Sequence, residues 1–595
     1  NTATQGNTLV YAILGNLTIF NCTITQNFAS LAGYLIELQD SPAAIFNQSV
    51  FQDNTNLKGL VAAGSTPMIL ENCSFIQNYG QITTSNFVLT FGSIIISNVT
   101  YVGFSDWTHT DKYWPNIEAD LLVATGTVII VSNLTASYSR SRYGVLYAQA
   151  NADVDVQNSS FLHNYGSFGG AVSVIESNLN IRSANFTNNS GSEEGGSSIT
   201  AKGSSLLQVY NLRVQDSQGY AILAEEITNI TVADSNFSSF VKNDYVGGIQ
   251  TSASRTISLS NLYISGMATN QGGAIEILNA LESESYLEMD GLYLTENTAI
   301  AGGGIFISQV KKSFLKNSIV MSNKASQYGG GIYYDVTDPS FPLQIGPNVT
   351  LQNNSASISG GAIYYNAYPQ QITSTSTVNF VNNSASSGND IGSYPTNFQE
   401  VSSISNSILQ AYISAVDPES PYLESLSDQS STNRILNENT SRYSISSGKI
   451  MFPPLIFGLY DENGNHMVSD NLTRLEVAAV SQDGGQSPTI LAGSTFQAFM
   501  GYFILYPLSI AFSPNNTFSL SFTSPEIIAR LTKANRTDLN QQSTTHIDTQ
   551  FFSLPCPLGE KISIHSTCEA CPVGFYTDTL NSAKDCLVCP ASQAV

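Results

Sequence analysis

Apolar and polar residues alternate in short runs over about the first 390 positions, and a recurring phrase joins the runs. An apolar residue, two variable residues and Asn come first, at Phe75 to Asn78, Phe161 to Asn164, Phe186 to Asn189, Val320 to Asn323, Leu351 to Asn354 and Phe380 to Asn383. A glycine step follows: Gly169-Gly170-Ala171-Val172, Gly272-Gly273-Ala274-Ile275, Gly302-Gly303-Gly304-Ile305, Gly329-Gly330-Gly331-Ile332 and Gly360-Gly361-Ala362-Ile363. Between these marks lie β-prone runs of four to six residues, such as those around Val99-Thr100-Tyr101, Leu179-Asn180-Ile181 and Ile230-Thr231-Val232, too short for packed helices. Aligned on the Asn position, the units fall at Asn27, Asn54, Asn78, Phe104, Ser139, Asn164, Asn189, Ser217, Phe240, Met267, Asn297, Asn323, Asn354 and Asn383. Fourteen units of about 27 residues mark a stacked-repeat fold.

One coil of a parallel β-helix fits such a unit. Every coil repeats the same corner, so the corner needs a residue that tolerates left-handed backbone angles and bonds its own image one rung away, as Asn does. The paired glycines mark a second corner with positive φ or close backbone approach. At a strand spacing of roughly 4.8 Å, fourteen coils give a rod on the order of 65 Å long.

The phrase resembles the repeats of the polymorphic outer-membrane proteins of chlamydiae, and similar repeats occur in large surface proteins of protists. The resemblance covers about the first 390 residues, is strongest from Tyr293 to Asp390, and weakens from Thr84 to Arg142 and from Leu207 to Tyr263. It implies a surface location and adhesive or structural work.

Composition changes the picture in one respect. Only 11% of residues are charged, against about 25% in ordinary proteins, although the apolar fraction of 42% is globular. Solubility must come from Ser, Thr and Asn, or from groups attached to them. Eighteen Asn-x-(Ser/Thr) acceptors are present, at Asn16, Asn21, Asn47, Asn72, Asn98, Asn133, Asn158, Asn185, Asn188, Asn229, Asn236, Asn348, Asn353, Asn382, Asn439, Asn471, Asn515 and Asn535. Asn21, Asn72, Asn98, Asn133, Asn158 and Asn348 each lie six residues before the Asn position, with Asn47 one residue further out. Identical rung positions stack, so N-linked glycans there would form a longitudinal stripe, and the chain reads as a eukaryotic secretory protein. The competing reading is that an Asn- and Ser-rich chain produces acceptors by chance.

A net charge of −23 and a pI near 4.4 lack the basic stripe that phosphate binding needs, so nucleic acid is not an expected partner. No signal peptide opens the chain, and no charge-free apolar run of membrane length appears. The nearest candidate, Phe496 to Phe512, is broken by Gln497 and Pro507 and reads as two sandwich strands. The chain looks like an internal piece of a longer secreted or tethered protein.

After residue 391 the repeat stops. Residues 392–448 are rich in Ser and Asn and read as cap and linker, with short apolar patches at Ile408-Leu409 and Tyr422-Leu423. Residues 449–553 alternate as strands, Leu455 to Tyr460, Leu475 to Val480, Phe503 to Leu508 and Phe518 to Phe522, with a hairpin turn at Asp461-Glu462-Asn463-Gly464-Asn465. This stretch resembles the immunoglobulin-like domains of surface adhesins, which carry a similar Leu-Tyr-Asp-x-x-Gly-Asn phrase. The acidic turn is either a structural hairpin or a calcium loop, and the full spacing of carboxylates for the latter is missing.

Five of the seven cysteines, Cys556, Cys568, Cys571, Cys586 and Cys589, crowd the last forty residues. Two Cys-x-x-Cys pairs would read as a zinc ribbon in a cytosolic protein, but beside so many glycosylation acceptors disulfides are expected. Residues 554–595 resemble the cysteine-rich modules of ephrin and tumour-necrosis-factor receptors, through Cys571-Pro572-Val573-Gly574-Phe575-Tyr576 and Cys586-Leu587-Val588-Cys589-Pro590. The resemblance implies pairing of Cys556 with Cys568 and of Cys571 with Cys586, and leaves Cys589 to a partner beyond the end. Cys22 and Cys73 share a register two rungs apart, roughly 9.6 Å, too far for a disulfide, and are expected as buried free thiols.

Parallel β-helices also house pectate lyases and polygalacturonases, which need clustered Asp with Arg or Lys, or a carboxylate pair across the sugar. The best candidates are Asp153 with Asp155, on one face of a strand, and the loop pair Glu193-Glu194, neither with a basic partner at a repeat-related position, while Asp335 with Asp338 is expected in a loop. The histidines His109, His163, His466, His546 and His565 are scattered. Aromatic residues in the rungs read as core.

The sequence therefore predicts an all-β chain: a parallel β-helix of about fourteen coils (1–391), cap and linker, an immunoglobulin-like β-sandwich and a small disulfide-rich module. It predicts no reaction, metal or cofactor. It points to an extracellular or cell-surface structural subunit that self-associates or packs with other surface glycoproteins, the alternatives being an adhesin or receptor ectodomain that binds a protein or glycan, and a polysaccharide lyase or hydrolase on a β-helix. An uncapped first coil, Thr8 to Phe20, would favour the filament.

Overall fold

Residues 146 to 171 make one complete turn of chain, and the rest of the first compact unit repeats it. Leu146–Gln149 forms the first wall, Asp153–Gln157 the second and Ser160–Leu162 the third, before Gly169-Gly170-Ala171 leads into the next first-wall strand, Val172–Ile175. Alternation decides which side chains face inward: Val154, Val156 and Phe161 are buried, whereas Asp153 and Asp155 face outward. Each strand pairs in parallel with its equivalent one coil on, Val154 with Leu179, Val156 with Ile181 and Phe161 with Phe186.

The computed structural model describes residues 2–3, 10–29, 34–56, 59–80, 86–103, 121–191, 196–239, 245–278, 285–335, 342–366, 368–369, 371–372, 377–427, 443–481, 488–534, 536, 539, 545–581 and 585–589. They divide into two compact units, Asn1–Ala385 with Asn389–Ile391, and Ser386–Gly388 with Gly392–Val595.

In the first unit the first wall is one sheet running from Val10–Ile13 to Ile363–Tyr365, and the second and third walls share a 26-stranded one. The solenoid amounts to about 12 turns, so the fourteen units counted on the Asn position are an approximate number. A single apolar core runs from Leu35 to Tyr365, with Phe51 stacked on Phe75 and Phe161 on Phe186 at ring-centroid distances of 5.1 and 4.8 Å.

The corner Asn is buried and bonds its image, but it does not take the left-handed angle. That conformation belongs to the residue before it: Gln26, Asp53, Gln77, His163, Glu296, Ser322, Asn353 and Asn382 all have φ between 48 and 58°. The Asn side chain turns inward instead. Asn54 Nδ2 donates to Asn78 Oδ1 at 2.9 Å and to the Ile24 carbonyl at 2.9 Å, and the Asn54 backbone N–H also donates to Asn78 Oδ1. The same pattern joins Asn164 to Asn189, and Asn297 through Asn323 and Asn354 to Asn383, which ends on Asp390. Where Ser139 and Met267 replace Asn, their backbone N–H groups still donate to the next Asn. Phe104 and Phe240 lie outside the described residues.

The glycine step divides its two functions between its two residues. Gly272, Gly302, Gly329 and Gly360 hold φ between 57 and 71°, while a Cβ on the following glycine would strike the next coil, as at Gly303, where it would lie 2.6 Å from the Lys324 carbonyl oxygen.

In the first coil Val10–Ile13, Leu17–Phe20 and Thr23–Thr25 each pair on one side only among the described residues, and Val10, Ala12, Leu17, Ile19 and Ile24 are only half-buried. Cys22 belongs to this coil and is exposed, which corrects its expected burial; Cys73, two rungs further in, is buried, and both are free thiols.

Two larger sheets of the second unit, beside a two-stranded one of Thr489–Ala492 and Ser509–Ala511, share one core of Tyr394, Phe398, Phe457, Phe503, Leu520, Phe522 and Phe551. Pro395–Glu400, Ile456–Asp461 and Tyr502–Ile504 form one, so part of the stretch read as cap and linker is a strand of this unit. Tyr443–Ser446, His546–Leu554, Thr517–Thr523, Arg474–Ser481 and Thr495–Gln497 form the other. Two helices, Asn406–Val416 and Tyr422–Ser427, pack their apolar residues on Ile456, Ile504 and Tyr506. The expected strand from Phe503 to Leu508 stops at Ile504 and resumes at Ser509, since Pro507 between them has no N–H to give a ladder. No described helix is long and apolar enough to cross a membrane.

The acidic turn is held from within. Asp461 accepts from the N–H groups of Ser393, Asn463 and Asn465 and from Asn465 Nδ2, and Glu462 pairs with both terminal nitrogens of buried Arg536 at 2.9 and 2.6 Å. Near the end of the chain Cys556 pairs with Cys568 and Cys571 with Cys586, bracing two small hairpins, and Cys589 is free.

Candidate functional site

Between the second and third walls the chain turns through one left-handed residue per coil. Asn21, Asn72, Asn98, Asn133, Asn158 and Asn348 occupy that corner with φ between 46 and 56°, all exposed. Successive side chains join amide to amide: Asn98 Nδ2 donates to Asn72 Oδ1 at 3.2 Å and Asn133 Nδ2 to Asn98 Oδ1 at 2.9 Å. The acceptor at Asn47 differs. Gln48 takes the corner, and half-buried Asn47 directs Nδ2, the atom a glycan would join, to Glu71 at 3.0 Å.

Asn188, Asn353 and Asn382 stand at the next left-handed corner, just before the buried Asn ladder. Asn16, Asn185, Asn229 and Asn236 are exposed at or beside solenoid strands, and Asn471 and Asn515 are exposed in the second unit. Asn439 and Asn535 lie outside the described residues. Asn211, Asn261 and Asn317 fill the same corner as the first group, at φ of 52, 50 and 48°, without a Ser or Thr two residues on. Backbone geometry therefore explains the shared register: a left-handed position selects Asn whether or not an acceptor follows.

The carboxylates singled out in the sequence are bound into polar ladders. Asp153 accepts from Asn178 at 2.8 Å, and Asp155 accepts from Asn180 at 3.1 Å and from Gln157 at 2.8 Å. Glu193, Glu194, Asp338 and His109 lie outside the described residues, and Asp335 ends a first-wall strand. His163 stacks on Tyr138, while His466 sits between Tyr460 and Tyr502, where burial lowers its pKa. Among the described residues no three His, Cys, Asp or Glu gather as a metal-holding group.

One polar cluster went unread in the sequence. Glu276, on Ile275–Leu278, faces away from the apolar core yet is only 4% exposed. Gln250, its register partner one coil back, donates to Oε2 at 3.1 Å. The Tyr220 hydroxyl reaches the same oxygen from two coils back, because its neighbour in register is Gly247, where any Cβ would collide with the tyrosine ring. Tyr245 Oη lies 2.8 Å from Tyr220 Oη. Burial raises the Glu276 pKa, and burial followed by the Glu276 charge raises that of Tyr220. In other coils this outward column holds Ser173, Phe306, Tyr333 and Tyr364, so an acid among covered neighbours was the available signal.

No protein-family profile matches the chain, and no curated protein does. Two crystal structures of the periplasmic alginate epimerase AlgG, one of them a point mutant, are similar at 10% identity, covering 60% of this chain and 76% of theirs, with TM-scores of 0.20 and 0.22.

The exposed acceptor corners offer a surface for covalently attached sugars. The Tyr220–Glu276 cluster is a covered set of hydrogen-bonded groups in which burial disfavours the charged form of each.

Proposed function

We propose that this chain is an N-glycosylated extracellular structural protein whose solenoid is a scaffold within a surface assembly. The observation that carries the reading is how its Asn residues divide. Of the sixteen acceptors among the described residues, all but half-buried Asn47 are exposed. The nine ladder residues Asn27, Asn54, Asn78, Asn164, Asn189, Asn297, Asn323, Asn354 and Asn383 are buried and none is an acceptor, the residue two positions on being Asn, Ala or Gly. Paired cysteines add support, since disulfides persist in oxidising compartments. No turnover belongs to this reading. Glycopeptide mass spectrometry is expected to find most exposed acceptors occupied, and electron microscopy of native material to show filaments or a coat. Bare acceptors would overturn the glycoprotein, and occupied acceptors on a dispersed monomer would favour the adhesin or receptor version.

A second reading, action on a polysaccharide, rests on the Tyr220–Glu276 cluster. It requires turnover of an acidic polysaccharide that Glu276→Gln abolishes, and absence of turnover in the parent chain removes it.

A further inference from the structure

The outward face of the second wall carries an isoleucine row. Ile45, Ile69, Ile95 and Ile130 pair in register on four successive coils, with Ile95 40% and Ile130 41% exposed. Val128, 47% exposed, and Phe91, 65% exposed with its ring over Gly126, extend the patch. Beyond Ile130 the same column turns polar: Asp155, Asn180, Gln208, Thr231, Ser258 and Glu288. Ile45 and Ile69 are half-buried, so the exposed part of the row is Ile95 and Ile130 with Val128 and Phe91, an apolar patch open to contact with other chains.

The adjacent corner carries acceptors beside three of these isoleucines, and also at Asn21 and Asn158, where the column holds Thr18 and Asp155. The corner carries an acceptor at Asn21, Asn72, Asn98, Asn133 and Asn158, with Asn47 one residue off, and then loses it at Ser183, Asn211, Asp234, Asn261, Gly291 and Asn317 before Asn348. Each of Asn72, Asn98 and Asn133 lies three residues beyond its isoleucine, about 10 Å along the strand. That is within the span of the first sugar rings of an N-linked chain, whose C–H faces and acetamido methyl groups are apolar.

We propose that the N-linked glycans of Asn72, Asn98 and Asn133 lie over Ile69, Ile95 and Ile130 and keep this wall from pairing with other copies. The inference rests on the glycoprotein reading and assigns the glycans a place: the second wall is closed to assembly contacts over these coils. The acceptor hydroxyls can be removed without disturbing the left-handed corners, because Ser74, Thr100 and Thr135 begin third-wall strands with their side chains facing outward.

The test uses the full chain secreted from glycosylating cells. Glycopeptide mass spectrometry of the parent comes first. If Asn72, Asn98 and Asn133 are bare, the glycoprotein reading fails at these sites and the shield fails with it. If they are occupied, the S74A/T100A/T135A variant is compared by light scattering with T187A/S190A/S238A, which removes Asn185, Asn188 and Asn236 instead. The first variant is expected to self-associate at least tenfold more tightly than parent or control and to bind more apolar dye. Adding I95T and I130T is expected to restore the monomer. Occupied sites with a first variant that stays as monomeric as the control, or association that I95T and I130T leave unchanged, would overturn the shield while leaving the glycoprotein reading intact.

Discussion

An amide that bonds its own image replaces solvent for two neighbours at once, so its loss is felt on both adjacent coils. Asn323 accepts from the Asn297 backbone and side chain at 3.1 and 2.9 Å and donates to the Leu294 carbonyl and Asn354. Asn323→Ala leaves several buried groups unpaired at about 1–3 kcal/mol each, whereas Asn317→Ala at the exposed left-handed corner costs only about 1–2 kcal/mol. Thermal melts of the two variants should rank them in that order by a clear margin. Gly303→Val forces backbone apart where a Cβ already meets two carbonyl oxygens, so a loss of about 2 kcal/mol or more is expected, against less than 1 kcal/mol for a change at an exposed loop position. The two solenoid thiols should also separate chemically. Cys22 is exposed and should react with a maleimide in the native protein, while Cys73 is buried, with its thiol pKa raised by that burial, and should react only on unfolding.

At the scale of strands and corners, stability depends on pH through Glu276. Its folded pKa is raised above its unfolded value of about 4.3, so its contribution is complete below that value and declines as pH rises through the folded pKa. Glu276→Gln removes the titration, and its melting temperature should fall less than that of the parent between about pH 4 and pH 7; parallel curves would show that this carboxyl plays no part. The walls and the glycine step were legible in the sequence because each is local and repeats: alternation names the inward residues, and a glycine pair is visible wherever it occurs. The corner Asn was placed correctly but given the wrong backbone angle, since a residue that only tolerates left-handed φ and one that needs its side chain indoors look the same in sequence. The Glu276 cluster was not legible, because it depends on three coils at once and on the missing side chain of Gly247. The helices at Asn406–Val416 and Pro525–Lys533 escaped because each is only about three turns long and exposes much of its surface, so Ile408-Leu409 reads as an isolated apolar patch.

Across the whole molecule, the two compact units keep their cross-links apart: both disulfides lie in the second. Reductant should therefore lower the melting transition of the second unit and leave the solenoid transition in place, which calorimetry with and without dithiothreitol would resolve. The in-register ladders carry one further consequence. Asn164 donates to Asn189 across a separation of 25 residues, and Ser139 donates to Asn164 across the same 25. Excising residues 164 to 188 would present Asn189 to Ser139 as Asn164 is now presented, with Phe186 gone and Phe161 left facing Val214. A coil is thus a removable cassette whose ladder ends already match, so the chain can shorten by a whole turn with its register kept, exchanging the Phe161–Phe186 stack for a Phe161–Val214 contact.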